Sequence, residues 1–322
     1  MDLLKLINDK CSYFSDTSAI QGLKSVILHI EMAERHFEIG KKEDDDRFFT
    51  DAIYRSNQAY EGSLKEAYQM LTGNKPNKMT PHEIEQSFQK DLIIKGRVLT
   101  LFENYRRDWR NTSTHDYTLC FSEQEAFLAI VNVCAFFNIL LDQMIERKAY
   151  NQEKIKLSES GAITQKQVQH KSLIEQISSL LTDFPNYALN KTVSDSTLKY
   201  FHNEMIGMLA AYIDSSDPEI EVTTEYSITT EKRRLYADML VRKGESSLLI
   251  EIKAATRNIA DLLSAGQNQL SLYMDAADLK DGILYILPKE SGSTKMVTRK
   301  VEIIRANESK QIVEIFPEGL FT

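Results

Sequence analysis

Through the first 150 residues apolar positions recur every three to four places, the spacing of amphipathic helices. "TSAIQGLKSVILHIEMAERHFEIG" (17–40) keeps that period and closes on Gly40, and "FFTDAIYRSNQAYEGSLKEAYQMLTG" (48–73) repeats it with a second glycine ending. The acids of "KEDDD" (42–46) read as the connection between them. "TPHE" (80–83) is a capping box, with Thr80 as N-cap, Pro81 at the first helical position and Glu83 reaching back; it opens a helical region to about Trp109. "SEQE" (122–125) is a second capping box, and a core helix to about Arg147 follows. The pattern predicts an all-α bundle of four or five elements over residues 1–150.

Residues 151–172, "NQEKIKLSESGAITQKQVQHKS", are polar without a sustained period and read as a linker, partly helical at most. Beyond it the grammar changes. A helix is predicted over 197–213, then strands over 219–229, 234–242 and 247–253, a helix of about twenty residues over 257–276, and strands over 282–288, 296–304 and 311–316. The order α-β-β-β-α-β with extra strands predicts a C-terminal α/β domain, 173–322, around a central mixed sheet. The chain is therefore expected to be multidomain.

Polar residues interrupt this apolar pattern at a few places. In "LYADMLVR", Leu235, Ala237, Met239 and Val241 share one predicted face, and Asp238 lies on the other between Tyr236 and Leu240. A carboxylate among apolar neighbours costs free energy unless it is paired or binds a metal. In "SLLIEIK" (247–253), Leu249, Glu251 and Lys253 share a face. If "RKGES" closes a hairpin, Asp238, Glu251 and Lys253 converge. Two carboxylates and the Ile252 carbonyl then make an all-oxygen site suited to Mg²⁺ or Mn²⁺. A lysine beside it can orient or deprotonate a water and balance charge on a phosphate. In the next helix Gln269 and Tyr273 are four apart and share a face. Glu204, in "FHNEMIGML" of the preceding helix, is a candidate third carboxylate.

Over roughly residues 195–290 this set resembles the PD-(D/E)xK nuclease superfamily, in its branch with a Q-x-x-x-Y element after the lysine. The resemblance makes Glu204 the helix glutamate, Asp238 the metal aspartate, Glu251 and Lys253 the E-x-K pair, and Gln269 and Tyr273 the final element. The proline before the aspartate is replaced by Ala237. What it implies is a metal-dependent nuclease, DNA the first substrate and RNA the second, in a setting such as bacterial antiviral defence. An E-x-K alone also fits a cross-strand ion pair on a solvated face; the ordered co-occurrence of the other elements sets this chain apart.

A second unusual stretch, "RRDWRNTSTHDY" (106–117), places Arg110 and His115 five apart, with "NTST" a poor helix interior that favours a bend. An arginine holds a phosphate bidentately and a histidine moves a proton, a metal-free kit for cleaving RNA through its own 2′-hydroxyl. The segment resembles the R-N-x-x-x-H signature of the HEPN family over about residues 15–148. By that resemblance Arg110, Asn111 and His115 are active-site residues and the helical domain forms a homodimer. Arginines on a solvated turn, with His115 as a helix cap, are the plainer alternative. A non-enzymatic dimeric adaptor is another.

The formal net charge of -8 weighs against nucleic-acid wrapping driven by bulk charge and leaves room for a local basic groove. Cys11, Cys120 and Cys134 are scattered and odd in number, which fits a reducing cytosol and argues against structural zinc. The N-terminus lacks the basic and apolar regions of a signal peptide. "FLAIVNVCAFFNILL" (127–141), broken by Asn132 and Asn138, is short for a membrane span and reads as a buried core helix, so no membrane association is expected.

Overall fold

Both capping boxes close as the spacing requires. Thr80 N–H donates to Glu83 Oε2 at 2.7 Å and Glu83 N–H to Thr80 Oγ1 at 3.3 Å. Ser122 N–H donates to Glu125 Oε2 at 2.8 Å and Glu125 N–H to Ser122 Oγ at 3.4 Å. A computed structural model describes residues 2–90, 93–94, 96–111, 120–160, 172–189, 202–231, 233–255, 258–288, 295–305 and 308–318. They divide into a helical unit, Met1–Lys148, and a sheet unit, Ala149–Thr322.

The helical unit is built from α1 (Leu3–Ser12), α2 (Ile20–Glu43), α3 (Asp46–Thr72), α4 (Pro81–Lys90), α5 (Gly96–Tyr105), a π-helical turn (Arg106–Asn111) and the first part of α6 (Glu123–Ser160). Helix α2 does not close at Gly40, as the sequence suggests. It continues to Glu43 and ends on Asp44 in the left-handed conformation, φ 51°. Gly40 serves close approach instead: a Cβ there would meet the Phe49 ring at 2.7 Å. Gly73 does cap α3, with φ 75°. Helix α6 is long and apolar enough to cross a membrane by length and composition alone. Its Val133, Phe136, Phe137, Leu140, Leu141 and Met144 are nonetheless buried in the protein interior, as expected of a core helix.

Residues 151–160, expected to open a linker, instead continue α6. Glu153 and Leu157, four apart, are buried, and the Tyr187 hydroxyl donates to Glu153. Ala149 and Leu157 join the core of the sheet unit, so packing overrides the polar composition. Residues 161–171, the rest of that expected linker, lie outside the described residues.

The sheet unit adds α7 (Leu173–Leu189), α8 (His202–Asp214) and α9 (Ile259–Ala277) to six strands. These are β1 (Ile220–Thr229), β2 (Arg234–Lys243), β3 (Ser246–Ala254), β4 (Asp281–Leu287), β5 (Met296–Arg305) and β6 (Glu308–Pro317). The sheet is mixed, in order β1-β2-β3-β4-β6-β5. Strands β3, β4 and β6 are parallel; β1–β2, β2–β3 and β5–β6 pair antiparallel. One face packs Met239, Val241, Ile250 and Ile252 with α7 and α8. The other packs Leu240, Leu249, Leu284 and Ile312 with α9. Helix α9 comes close because Gly266 has no side chain: a Cβ there would stand 2.7 Å from Leu284 Cδ1.

The β1–β2 hairpin departs from the predicted alternation. Met239 and Val241 belong to the α7/α8 face, whereas Leu235 and Ala237 pack with α9. Strand β1 switches likewise: Ile220 and Val222 lie on one side, Tyr226 and Ile228 on the other. The exchange occurs at Asp238 and, opposite it, Glu225, whose φ is 48°. A left-handed residue inside a strand turns the chain and breaks its period of two.

Gly266→Ala tests the close approach. Its helix-propensity gain of about 1 kcal/mol is expected to be outweighed by the about 1–3 kcal/mol of overpacking against Leu284. Thermal unfolding should therefore show a lower midpoint; an unchanged or raised midpoint would refute the contact.

Candidate active site

The β2–β3 ladder runs from Lys243↔Ser246 to Met239↔Ile250 and stops there, whereas β3 and β4 stay paired through Ala254↔Leu287. Beyond Ile250, strand β3 therefore has backbone groups facing a β2 that has turned away. Asp238 fills one of these vacated positions: its Oδ2 accepts the Ile252 N–H at 2.6 Å. A short bond from an amide to a carboxylate is of the stronger, charge-assisted kind. It holds the half-buried Asp238 at the mouth of the split.

Glu251 and Lys253 project from β3 on the side of Leu249 and Ala255, the face covered by α9. Lys253 Nζ donates to Glu251 Oε1 at 2.6 Å and to Gln269 Oε1 at 2.9 Å. Gln269 Nε2 in turn donates to the Tyr273 hydroxyl at 2.8 Å. The E-x-K pair and the Q-x-x-x-Y element thus form one hydrogen-bonded chain, running from a strand into the helix that follows it. Glu251 is 2% exposed, and among the described residues its Oε2 has no hydrogen-bond partner. Burial and the nearby Asp238 carboxylate push the Glu251 carboxyl up to about 7, with Lys253 pulling the other way.

An orphaned buried carboxylate oxygen beside a second carboxylate fits a hard cation. Strand geometry points the Ile252 carbonyl to the same side of β3 as its N–H, toward Asp238. Asp238, Glu251 and the Ile252 carbonyl therefore fit Mg²⁺ or Mn²⁺ completed by water. Glu204 opens α8, which packs on the opposite face of the sheet from α9. Among the described residues no group of three or more His, Cys, Asp or Glu is placed to hold a metal.

A second polar chain flanks the first. Glu314 on β6 is fully buried, accepting from Gln267 of α9 and from Arg299 Nε of β5 at 2.5 Å. Glu251, Leu284, Glu314 and Arg299 are successive partners across the sheet. Helix α9 is therefore fastened on both sides of the Gly266–Leu284 contact, by Gln269 to β3 and by Gln267 to β6. Sequence reasoning passed over Glu314, although "QIVEIF" sets a carboxylate among apolar residues just as "LYADML" does.

In the helical unit the arginines of 106–110 are committed to acids. Arg106 Nε donates to buried Glu85 at 2.8 Å, and the Tyr60 hydroxyl donates to the same carboxylate. Arg110 Nε donates to Glu61 Oε1 at 3.1 Å. Arg110 also borders a cleft of about 500 Å³ with His36, Tyr54 and Arg55. The backbone of Asn111 ends the π-helical turn, and His115 lies outside the described residues. No protein-family model, curated protein or solved structure matches this chain.

The raised Glu251 carboxyl carries a sign. The unfolded chain releases this proton near 4.5 and the folded chain near 7, so between them the folded state binds more protons and stability falls as pH rises. Relative to Glu251→Gln, the wild type is expected to lose stability, up to about 3 kcal/mol, across that window. Parallel midpoint-versus-pH curves for the two proteins would contradict this.

Proposed function

We propose that the sheet unit is a metal-dependent phosphodiesterase, a nuclease of the PD-(D/E)xK type with a restriction-endonuclease-like core, acting on DNA before RNA. The observation that carries this reading is the buried Glu251 Oε2 beside Asp238, without a hydrogen-bond partner among the described residues, with Lys253 held between Glu251 and Gln269. A structural ion pair alone has no need of a second carboxylate at the same place, since like charges in a buried setting cost free energy.

In this reading Asp238 and Glu251 would hold the cation, which would supply Lewis-acid activation of water and charge compensation at the phosphate. Lys253 contributes an ammonium that orients the water and stabilises the extra negative charge of the pentavalent phosphorus centre. Gln269 takes one hydrogen bond from that ammonium and fixes its direction, and Tyr273 fixes Gln269. Above pH about 7 Glu251 is ionised and ready to bind; below it the proton competes with the metal.

The helical unit, with its resemblance to HEPN domains, supplies self-association in this proposal, and the setting is a defence system of a cell interior. The test is plasmid cleavage in Mg²⁺ by the wild type against Asp238→Ala and Lys253→Ala. Each variant is expected to lose at least about a hundredfold in rate, and chelation to abolish cleavage. Equal cleavage by all three proteins would reject the assignment. Independently, Mn²⁺ titration should show affinity rising with pH through about 7 in the wild type and strongly weakened binding in Glu251→Gln.

A further inference from the structure

The hairpin joining β1 and β2 extends well past the last β2–β3 pair. Strands β1 and β2 remain paired from Ile220↔Lys243 to Thr229↔Arg234, whereas β2 leaves β3 after Met239. The stretch from Glu225 to Asp238 is thus an arm attached to the sheet only through its base. At that base the arm changes face: Tyr226, Ile228, Leu235 and Ala237 pack with Ile259 and Leu263 of α9 rather than with α7 and α8. It therefore bends over the side of the sheet that carries Glu251, Lys253 and Gln269, with Asp238 at the hinge.

The tip is closed tightly. Thr230 N–H donates to the Arg233 carbonyl at 3.0 Å, Thr230 Oγ1 to the same carbonyl at 2.7 Å, and Arg233 N–H returns a bond to Thr230 Oγ1 at 3.1 Å. The hydroxyl–backbone pair rigidifies the turn. It leaves Arg233 and Arg234 exposed, and among the described residues neither side chain has a hydrogen-bond or ion-pair partner. Two adjacent uncommitted guanidiniums on a rigid projection stand out in a chain of net charge -8. Most other arginines and lysines on the described surface of this unit are paired, as Arg299 is with Glu314, Lys243 with Asp217 and Lys295 with Glu318.

We propose that this arm is a nucleic-acid grip, in which Arg233 and Arg234 contact backbone phosphates of a DNA duplex whose scissile bond lies at Asp238 and Glu251. The assignment rests on the nuclease reading of that site and adds the surface that holds the polymer there. The geometry sets the reach. Four residues of strand separate Arg234 from Asp238, about 13 Å at the rise of an extended chain. That equals about four base-pair steps at 3.4 Å. The grip is therefore offset along the duplex from the cut, where it positions the backbone without entering the chemistry. Guanidinium is the fitting group, since its planar fork matches a phosphate bidentately. Exposed arginines retain this capacity because no described residue competes for them.

Binding of a short fluorescent DNA duplex, followed by anisotropy in EDTA over a salt series, tests the arm apart from the chemistry. The double variant Arg233→Ala/Arg234→Ala is expected to bind at least about tenfold more weakly in low salt. Its slope of log affinity against log salt should be shallower by about 2, one unit for each phosphate no longer neutralised. Its thermal midpoint and Mn²⁺ affinity should match the wild type, because neither arginine supports the core or the carboxylates. Arg233→Lys/Arg234→Lys, which keeps the charge, should recover most of the slope. Wild-type affinity and slope in the alanine double variant would overturn the grip, as would a wild type that binds no DNA. Variant-sensitive binding confined to an RNA hairpin would overturn DNA as the partner. Arm-dependent DNA binding without Mg²⁺-dependent cleavage would sink the nuclease reading and leave the grip standing.

Discussion

A single hydrogen bond, from the Ile252 amide to Asp238 Oδ2 at 2.6 Å, marks the place where the sheet stops being a plain ladder. Strands β2 and β3 run side by side to Met239 and Ile250 and then part. Backbone amides on β3 would be left without partners at that split, a cost comparable to that of an unmade hydrogen bond. A carboxylate takes the place of the missing strand at Ile252. The same residue that repairs the ladder brings a second negative charge up to Glu251, and that charge, with burial, raises the Glu251 carboxyl to about 7. Local structure and site chemistry are thus one arrangement.

The rest of the sheet unit keeps that arrangement in place. Helix α9 lies close on β4 because Gly266 admits Leu284, and two glutamines on either side fix its position. Gln269 reaches the lysine beside the split; Gln267 reaches a buried glutamate on β6 that also holds Arg299. A buried carboxylate is costly unless its oxygens are satisfied; Glu314 accepts at both oxygens, whereas Glu251 Oε2 has no hydrogen-bond partner among the described residues. The contrast between two glutamates on one face of one sheet separates a fastening from a site with capacity to spare. The hairpin arm repeats the distinction at the surface: its tip carries two arginines without a partner among the described residues, on a unit where most described cations are paired.

In the helical unit the same reasoning gives a different result. The cluster Arg106, Arg107 and Arg110 looks like free charge in the sequence, yet each is bound to an acid: Glu85, Asp108 and Glu61. A π-helical turn widens the spacing where these residues lie; Arg106 reaches back to α4 and Arg110 to α3, while Arg107 pairs with its neighbour within the turn. The Tyr60–Glu85–Arg106 chain is buried at its centre, so a large part of the charge there stabilises the bundle rather than facing a ligand.

Much of this was legible in the residues alone. Period and capping boxes specify the helices of the first unit, because they depend on contacts three or four residues apart. The order of strands and helices, and the sharing of a face by Glu251 and Lys253, follow from the two-residue period of a strand. What only the tertiary structure decided involves pairs distant in sequence. The switch of face at Glu225 and Asp238 comes from a left-handed residue whose effect no alternation pattern carries. The extension of α6 to Ser160 comes from packing that accepts Glu153 and Leu157. The placement of Glu204 on a helix across the sheet from α9 likewise comes from packing. Composition and spacing determined which groups were available; the termination of one strand ladder determined which of them meet.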